Sequence, residues 1–192
     1  ECPFKYFARR TLALEEEAED ERTLTPQQRG LFLHRVFEAF FARWQADGEG
    51  AITLANLEPA LARFHDVADA ELDRLPSSDR PVARTWLLGS AASPGLAERL
   101  FMNEVEDPAE VIERLLEFRI DGEYELNDGK TRRRIALRGT ADRIDLHADG
   151  SFHVIDYKAN RPPHPARALQ LPVYARCAEQ RLSAGRDGQW RA

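Results

Sequence analysis

Residues 139–158 read GTADRIDLHADGSFHVIDYK. Two runs of strand-forming residues flank Ala148-Asp149-Gly150, a turn signal, so the stretch reads as adjacent strands joined by a tight turn. Side chains alternate across a strand, which puts Asp156 and Lys158 on one face and Tyr157 on the other. Asp142, on the neighbouring strand, reaches the same face as Asp156. Two carboxylates and a lysine at the end of a buried strand are too costly to be packing. Acids this close repel unless a cation lies between them. A hard divalent ion such as Mg²⁺ takes oxygen ligands and suits that gap. The competing reading is a pair of strand-end acids in salt bridges with Arg143 or Arg161, with Lys158 laying its stem along the surface.

Working outward, apolar residues Leu33, Phe37, Phe40 and Trp44 recur at three- and four-residue steps and predict a helix over residues 26–44, opened by Thr25-Pro26. A second helix is expected over 54–75, with Leu57, Leu61, Phe64, Ala68, Leu72 and Leu75 inward and Pro59 near its first turn. A third covers 80–90, with Asp79 a candidate cap. A fourth starts at Ser93-Pro94 and runs to about residue 103. A short helix is expected over 3–13. From residue 111 the period changes, and strands are expected over 111–126, 131–147 and 151–158. Asn127-Asp128-Gly129 signals a hairpin turn. Gly139 sits where the inward face of its strand switches, so a bulge or bend belongs there. A helix follows over 165–183, and the last residues, Gln189 to Ala192, read as the start of another strand.

The ordered pieces resemble a known family. GTADRID, a turn and VIDYK are similar to motifs II and III of the PD-(D/E)xK nucleases, with the RecB-like exonuclease domain the nearest branch. Arg29-Gly30-Leu31-Phe32-Leu33-His34 resembles that branch's helical RGxxxH motif. Gln170-Leu171-Pro172-Val173-Tyr174 resembles its QLxxY helix, and Cys2-Pro3-Phe4-Lys5-Tyr6-Phe7 its CPFxYF opening. The resemblance implies an α/β, restriction-endonuclease-like core: a mixed central sheet flanked by helices, with a helical insertion before it. One domain would span residues 1–192, with a helical part at 26–106 and the sheet and catalytic core at 111–192.

The resemblance also implies roles. His34, Asp142 and Asp156 would hold the metal, Mg²⁺ or alternatively Mn²⁺, and the backbone carbonyl of Tyr157 would complete its shell. Lys158 would orient or help deprotonate the attacking water and steady charge on the phosphate. Gln170 and Tyr174, four residues apart on one helix face, would look onto the active site. Glu117 lies roughly where related domains carry an extra acid. Glu38, one turn on from His34, is either an orienting partner or a plain helix-surface acid. Taken alone, His34 reads as a core or surface histidine, and the Gln170–Tyr174 face as ordinary helix surface. The function implied is DNA cleavage by the exonuclease domain of a helicase–nuclease or repair protein. DNA ends or single strands would be substrate, and a helicase domain or subunit outside this chain the partner. The alternative is a catalytically silent DNA-binding clamp of the same fold; a phosphodiesterase acting elsewhere is a weaker third. The chain has no Walker A motif, so ATP use would lie elsewhere.

The chain has 192 residues and a net charge of −6, which argues at first against a nucleic-acid partner. Residues 1–128 carry 14 Lys+Arg against 27 Asp+Glu, whereas residues 129–192 carry 13 against 6. The C-terminal third, which holds Asp142, Asp156 and Lys158, is therefore basic, and the local field matters more than the sum. Arg132, Arg133, Arg134 and Arg138, with Lys130, and also Arg161, Arg167 and Arg176, are candidates to track a phosphate backbone, although charge runs are more often solvated faces. Two cysteines, Cys2 and Cys177, make no disulfide framework and suggest a reducing, cytoplasmic setting. An iron–sulfur cluster needs four thiolates, so none is expected from these residues alone. No stretch is apolar enough to suggest a membrane partner. The first residue is glutamate, which reads as a piece of a longer protein.

Overall fold

The computed structural model describes residues 24–106, 110–127, 131–158, 170–185 and 190–192. Helix α1 (Pro26–Ala46) opens with a capping box. The Gln28 amide donates to Thr25 Oγ1 at 3.2 Å and the Thr25 amide to Gln28 Oε1 at 2.8 Å. Its buried face, Phe32, Leu33, Val36, Phe37, Phe40, Phe41 and Trp44, follows the predicted period. Helix α2 (Leu57–Leu72) has Pro59 in its first turn, where no intrahelical bond is lost. Helix α3 (Arg80–Leu88) starts after Asp79, whose side chain makes no capping bond. Two short strands follow, β1 (Gly89–Ser90) and β2 (Ser93–Pro94), then helix α4 (Leu96–Glu106). Ser93-Pro94 thus belongs to a tiny hairpin rather than to the helix start expected there. Phe37, Phe40, Phe64 and Phe101 bring these helices together, with ring centroids 4.9–6.3 Å apart.

The expected long strands are each broken once. Strand β3 (Val111–Arg119) ends at Ile120-Asp121, and β4 (Gly122–Asn127) turns away. Among the described residues strand β5 (Arg132–Leu137) pairs only with β4, and β6 (Thr140–His147) resumes after Arg138-Gly139. The bend falls at the glycine that the face switch marked. Packing explains the glycine itself, because a Cβ on Gly139 would collide with the Tyr174 hydroxyl. Asp128 and Gly129 of the hairpin-turn signal lie outside the described residues; β4 and β5 pair antiparallel as far as Asn127 with Arg132. Strand β7 (Phe152–Ile155) stops before Asp156, so the DYK triplet follows the strand rather than ending it. The turn between β6 and β7 has Gly150 at φ 81° and an Asp149 carboxylate accepting from the Ser151 amide at 2.8 Å.

Strands β3, β6 and β7 form the central sheet in the order β3-β6-β7, all antiparallel. The parallel element of a mixed sheet is present as a single bridge, Ser151 with Arg191, where the last residues come alongside. Strand β6 is the middle strand and is buried from Ala141 to His147. One face meets the helical block, whose core includes Leu116, Ile155 and Tyr157 from the sheet. The other meets helix α5 (Gln170–Gly185), whose Ala178 and Leu182 pack with Ile144, Leu146 and Phe152. The expected helices at 3–13 and before residue 170 fall outside the described residues. No helix among the described residues is long and apolar enough to cross a membrane.

Candidate metal centre

Three elements supply the centre. Helix α1 presents His34, which follows the buried pair Phe32-Leu33 and stays half-exposed at the edge of the apolar face. Strand β6 presents Asp142, only 8% exposed. Its Oδ2 lies 3.4 Å from His34 Nε2 and accepts from the Tyr157 amide at 2.7 Å. The same nitrogen of His34 lies 3.1 Å from the Tyr157 carbonyl oxygen. The backbone of Tyr157 therefore touches both side chains: its N–H holds the acid and its carbonyl meets the imidazole.

Glu117 of β3 is the third member. The pairs Leu116 with Arg143 and Phe118 with Ala141 place it across from Asp142. Its Oε1 is 4.0 Å from His34 Nδ1. One ligand atom each of His34, Glu117 and Asp142 lies within 4.8 Å of the others. Glu117 has φ 47°, the left-handed region that a side chain makes costly by about 1–2 kcal/mol. Strain of this kind concentrates at functional positions.

Asp156 stands beside this group and is not one of the three. Its carboxylate is taken by Lys158, whose Nζ lies 2.9 and 2.8 Å from the two oxygens. The two side chains meet although both lie past the end of β7, and their charges are felt at Asp142. Arg143 does not neutralise either acid: its partners are Glu104 and Asp145. The salt-bridge reading through Arg143 therefore fails. Arg161 lies outside the described residues.

Burial pushes the Asp142 carboxyl above the ordinary carboxylate range, and the charge of Asp156 adds to this; the Tyr157 amide, His34 and Lys158 pull the other way. Glu117 is also raised, first by burial and then by Asp142 and Glu38. Glu38 thus acts on the centre through its charge, whereas Glu117 is the carboxylate beside His34 Nδ1. Two carboxylates, an imidazole and a carbonyl form a hard, oxygen-rich donor set. The acids carry charge that the neighbouring protein groups do not fully offset. The residues fit a divalent cation.

Gln170 is exposed at the first position of α5, and Tyr174 lies half-buried against Gly139, three residues before Asp142. Arg132, Arg133, Arg134 and Arg138 are exposed on and beside β5, with Arg134 3.7 and 3.8 Å from Glu123 and Glu125. Arg176 pairs with Glu179. Lys130 and Arg167 lie outside the described residues. Cys177 is buried, which raises its thiol pKa, and Cys2 lies outside the described residues.

The family model of the PD-(D/E)XK nuclease superfamily matches residues 1–192. The chain belongs to that superfamily, whose nucleases use divalent metal ions. No curated protein and no solved structure matches the chain significantly.

Proposed function

We infer that the chain is a Mg²⁺- or Mn²⁺-dependent deoxyribonuclease of the RecB-like type, the cytoplasmic exonuclease domain of a helicase–nuclease or DNA repair protein. Superfamily membership supports nuclease chemistry. The observation that carries the reading is the convergence of His34, Glu117 and Asp142 around the Tyr157 peptide. In this reading His34 Nε2, Asp142 Oδ2 and the Tyr157 carbonyl hold the cation, with Asp156 or Glu117 supplying a further oxygen. A bound divalent ion neutralises charge on a phosphate oxygen and lowers the pKa of a water. The chain's own residues do the rest. Lys158, fixed by Asp156, brings a cationic proton donor to the phosphate and the incoming water. Gln170 and Tyr174 line the approach of the DNA, and the arginines of β5 meet its backbone.

The test is incubation of the protein with end-labelled single- and double-stranded DNA in Mg²⁺, Mn²⁺ or chelator, beside Asp142→Asn. The expected result is metal-dependent cleavage to 5′-phosphate products that Asp142→Asn abolishes. Equal DNA binding by both proteins with no cleavage by either would instead favour the silent clamp.

A further inference from the structure

Tyr157 is anchored far more firmly than a residue supplying one carbonyl requires. Its ring stacks on Phe37 of α1, centroids 4.5 Å apart and planes 23° from parallel. Its hydroxyl accepts from Arg143 Nη1 at 2.9 Å in a buried setting. The other terminal nitrogen of Arg143 donates to both oxygens of Glu104 and to Asp145 Oδ2, each at 2.8 Å. The guanidinium lies 4.1 Å above the ring of Phe41. Glu104 belongs to the last turn of α4, so the tie runs from the helical block, through one arginine, to the phenol.

We propose that Arg143, oriented by Glu104 and Asp145, is a positioning residue for the metal centre that acts through the Tyr157 side chain. The Tyr157 N–H and C=O belong to the two rigid peptide planes that meet at its Cα, so the backbone dihedrals of this one residue set both directions. Holding the phenol and ring at one end sets where the Tyr157 N–H meets Asp142 and where its carbonyl points at the other. The arginine is a suitable strut because its planar fork serves several acceptors at once; burial works against its charge, but Tyr157, Asp145 and Glu104 outweigh it. Outer partners of this kind ordinarily change metal affinity about 10- to 100-fold when removed. The helical block thereby tunes how tightly the centre holds its ion without touching it. The proposal rests on the metal-site reading above.

The test measures Mn²⁺ binding to the intact chain by isothermal titration and by the loss of free-ion electron paramagnetic resonance signal. Tyr157→Phe removes one oxygen and leaves the ring and peptide in place. Its Mn²⁺ Kd is expected to weaken roughly 10-fold. The half-saturating metal concentration for cleavage should rise in step. Glu104→Gln, at a partly exposed position, is the second variant and should weaken binding in the same direction by a smaller factor. A purely structural role would lower the melting temperature and leave the Kd of the folded protein where it was; that result in both variants overturns the proposal. If the unaltered protein itself binds no Mn²⁺, the metal-site reading fails first, and the variants need not be made.

Discussion

Asp142 and Arg143 are neighbours on β6, yet their surroundings treat charge in opposite ways. Around Arg143 the cluster is internally neutral: Arg114 and Arg143 face Asp145 and Glu104, with Phe41 against both guanidinium groups. Around Asp142 the acids Glu117 and Asp156 gather with Lys158 and an imidazole, and negative charge is left over. Both clusters are expensive to bury. The first carries its own counter-charges and ties the helical block to the sheet and to Tyr157. Among the described residues the second lacks cations enough to balance its acids, which fits the proposed metal site.

The sharpest way to break the comparison is to neutralise one member of each. Asp142→Asn keeps an oxygen for the Tyr157 amide but removes a metal-binding charge. Cleavage should fall at least about a thousandfold, equivalent to about 4 kcal/mol of lost transition-state stabilisation. The apo protein should melt at the same temperature or slightly higher, because a raised carboxyl no longer needs to ionise. Arg143→Met should do the reverse in calorimetry. It strands Asp145 and Glu104, and removal of one partner from a buried pair costs about 3–5 kcal/mol. For a chain of this size that is a fall in melting temperature of at least about 6 °C. If Asp142→Asn proves the more destabilising of the two, the distinction between site and structure is wrong.

The sequence revealed one cluster and hid the other for the same reason. Asp142, Asp156 and Lys158 stand out because acids and lysine at strand ends lack a packing explanation. His34 is ambiguous by itself, and only its place in the ordered motifs singles it out; the fold then sets it 3.4 Å from Asp142. Arg143 and Asp145 alternate with Ile144 and Leu146, which is the pattern of a half-exposed strand. Burial of both faces of β6 is a tertiary fact with no periodic trace. Glu117 is marginal in the sequence for a related reason. Its approach to His34 depends on a register and a backbone angle that no composition encodes. The break at Ile120-Asp121 was signalled by Asp121-Gly122 but masked by strand-forming residues resuming at once, and the stop after Ile155 escaped because Asp156-Tyr157-Lys158 keeps a strand-like alternation. The bend at Gly139 was legible because the face switch and the glycine coincide. Ser93-Pro94 misled because a helix-start signal and a short turn use the same residues.

Gly139 gives a smaller perturbation, aimed at the other face of the sheet. Gly139→Ala drives a methyl group into the Tyr174 hydroxyl. Overpacking of this kind costs about 1–3 kcal/mol, and α5 must give way. Adding Tyr174→Phe removes the nearest atom and should recover part of the loss, which a double-mutant cycle in chemical denaturation would measure. Additivity instead of recovery would mean that Tyr174 already moves freely, and its place over the site would lose support.

The smallest effect tests the charge argument most directly. Asp142 and Glu117 bind protons more tightly when the chain is folded than when it is unfolded. Ionising them therefore opposes folding. The penalty is absent well below the unfolded carboxylate range and reaches its full size once the pH exceeds the raised, folded values. A divalent cation removes that repulsion and competes with protons for the same oxygens. The increase in melting temperature produced by Mn²⁺ should thus be greater at pH 8 than at pH 5, by a few degrees, and should vanish at both in Asp142→Asn. An increase that persists in Asp142→Asn would show that the ion binds elsewhere, because that substitution removes the carboxylate on which the site depends.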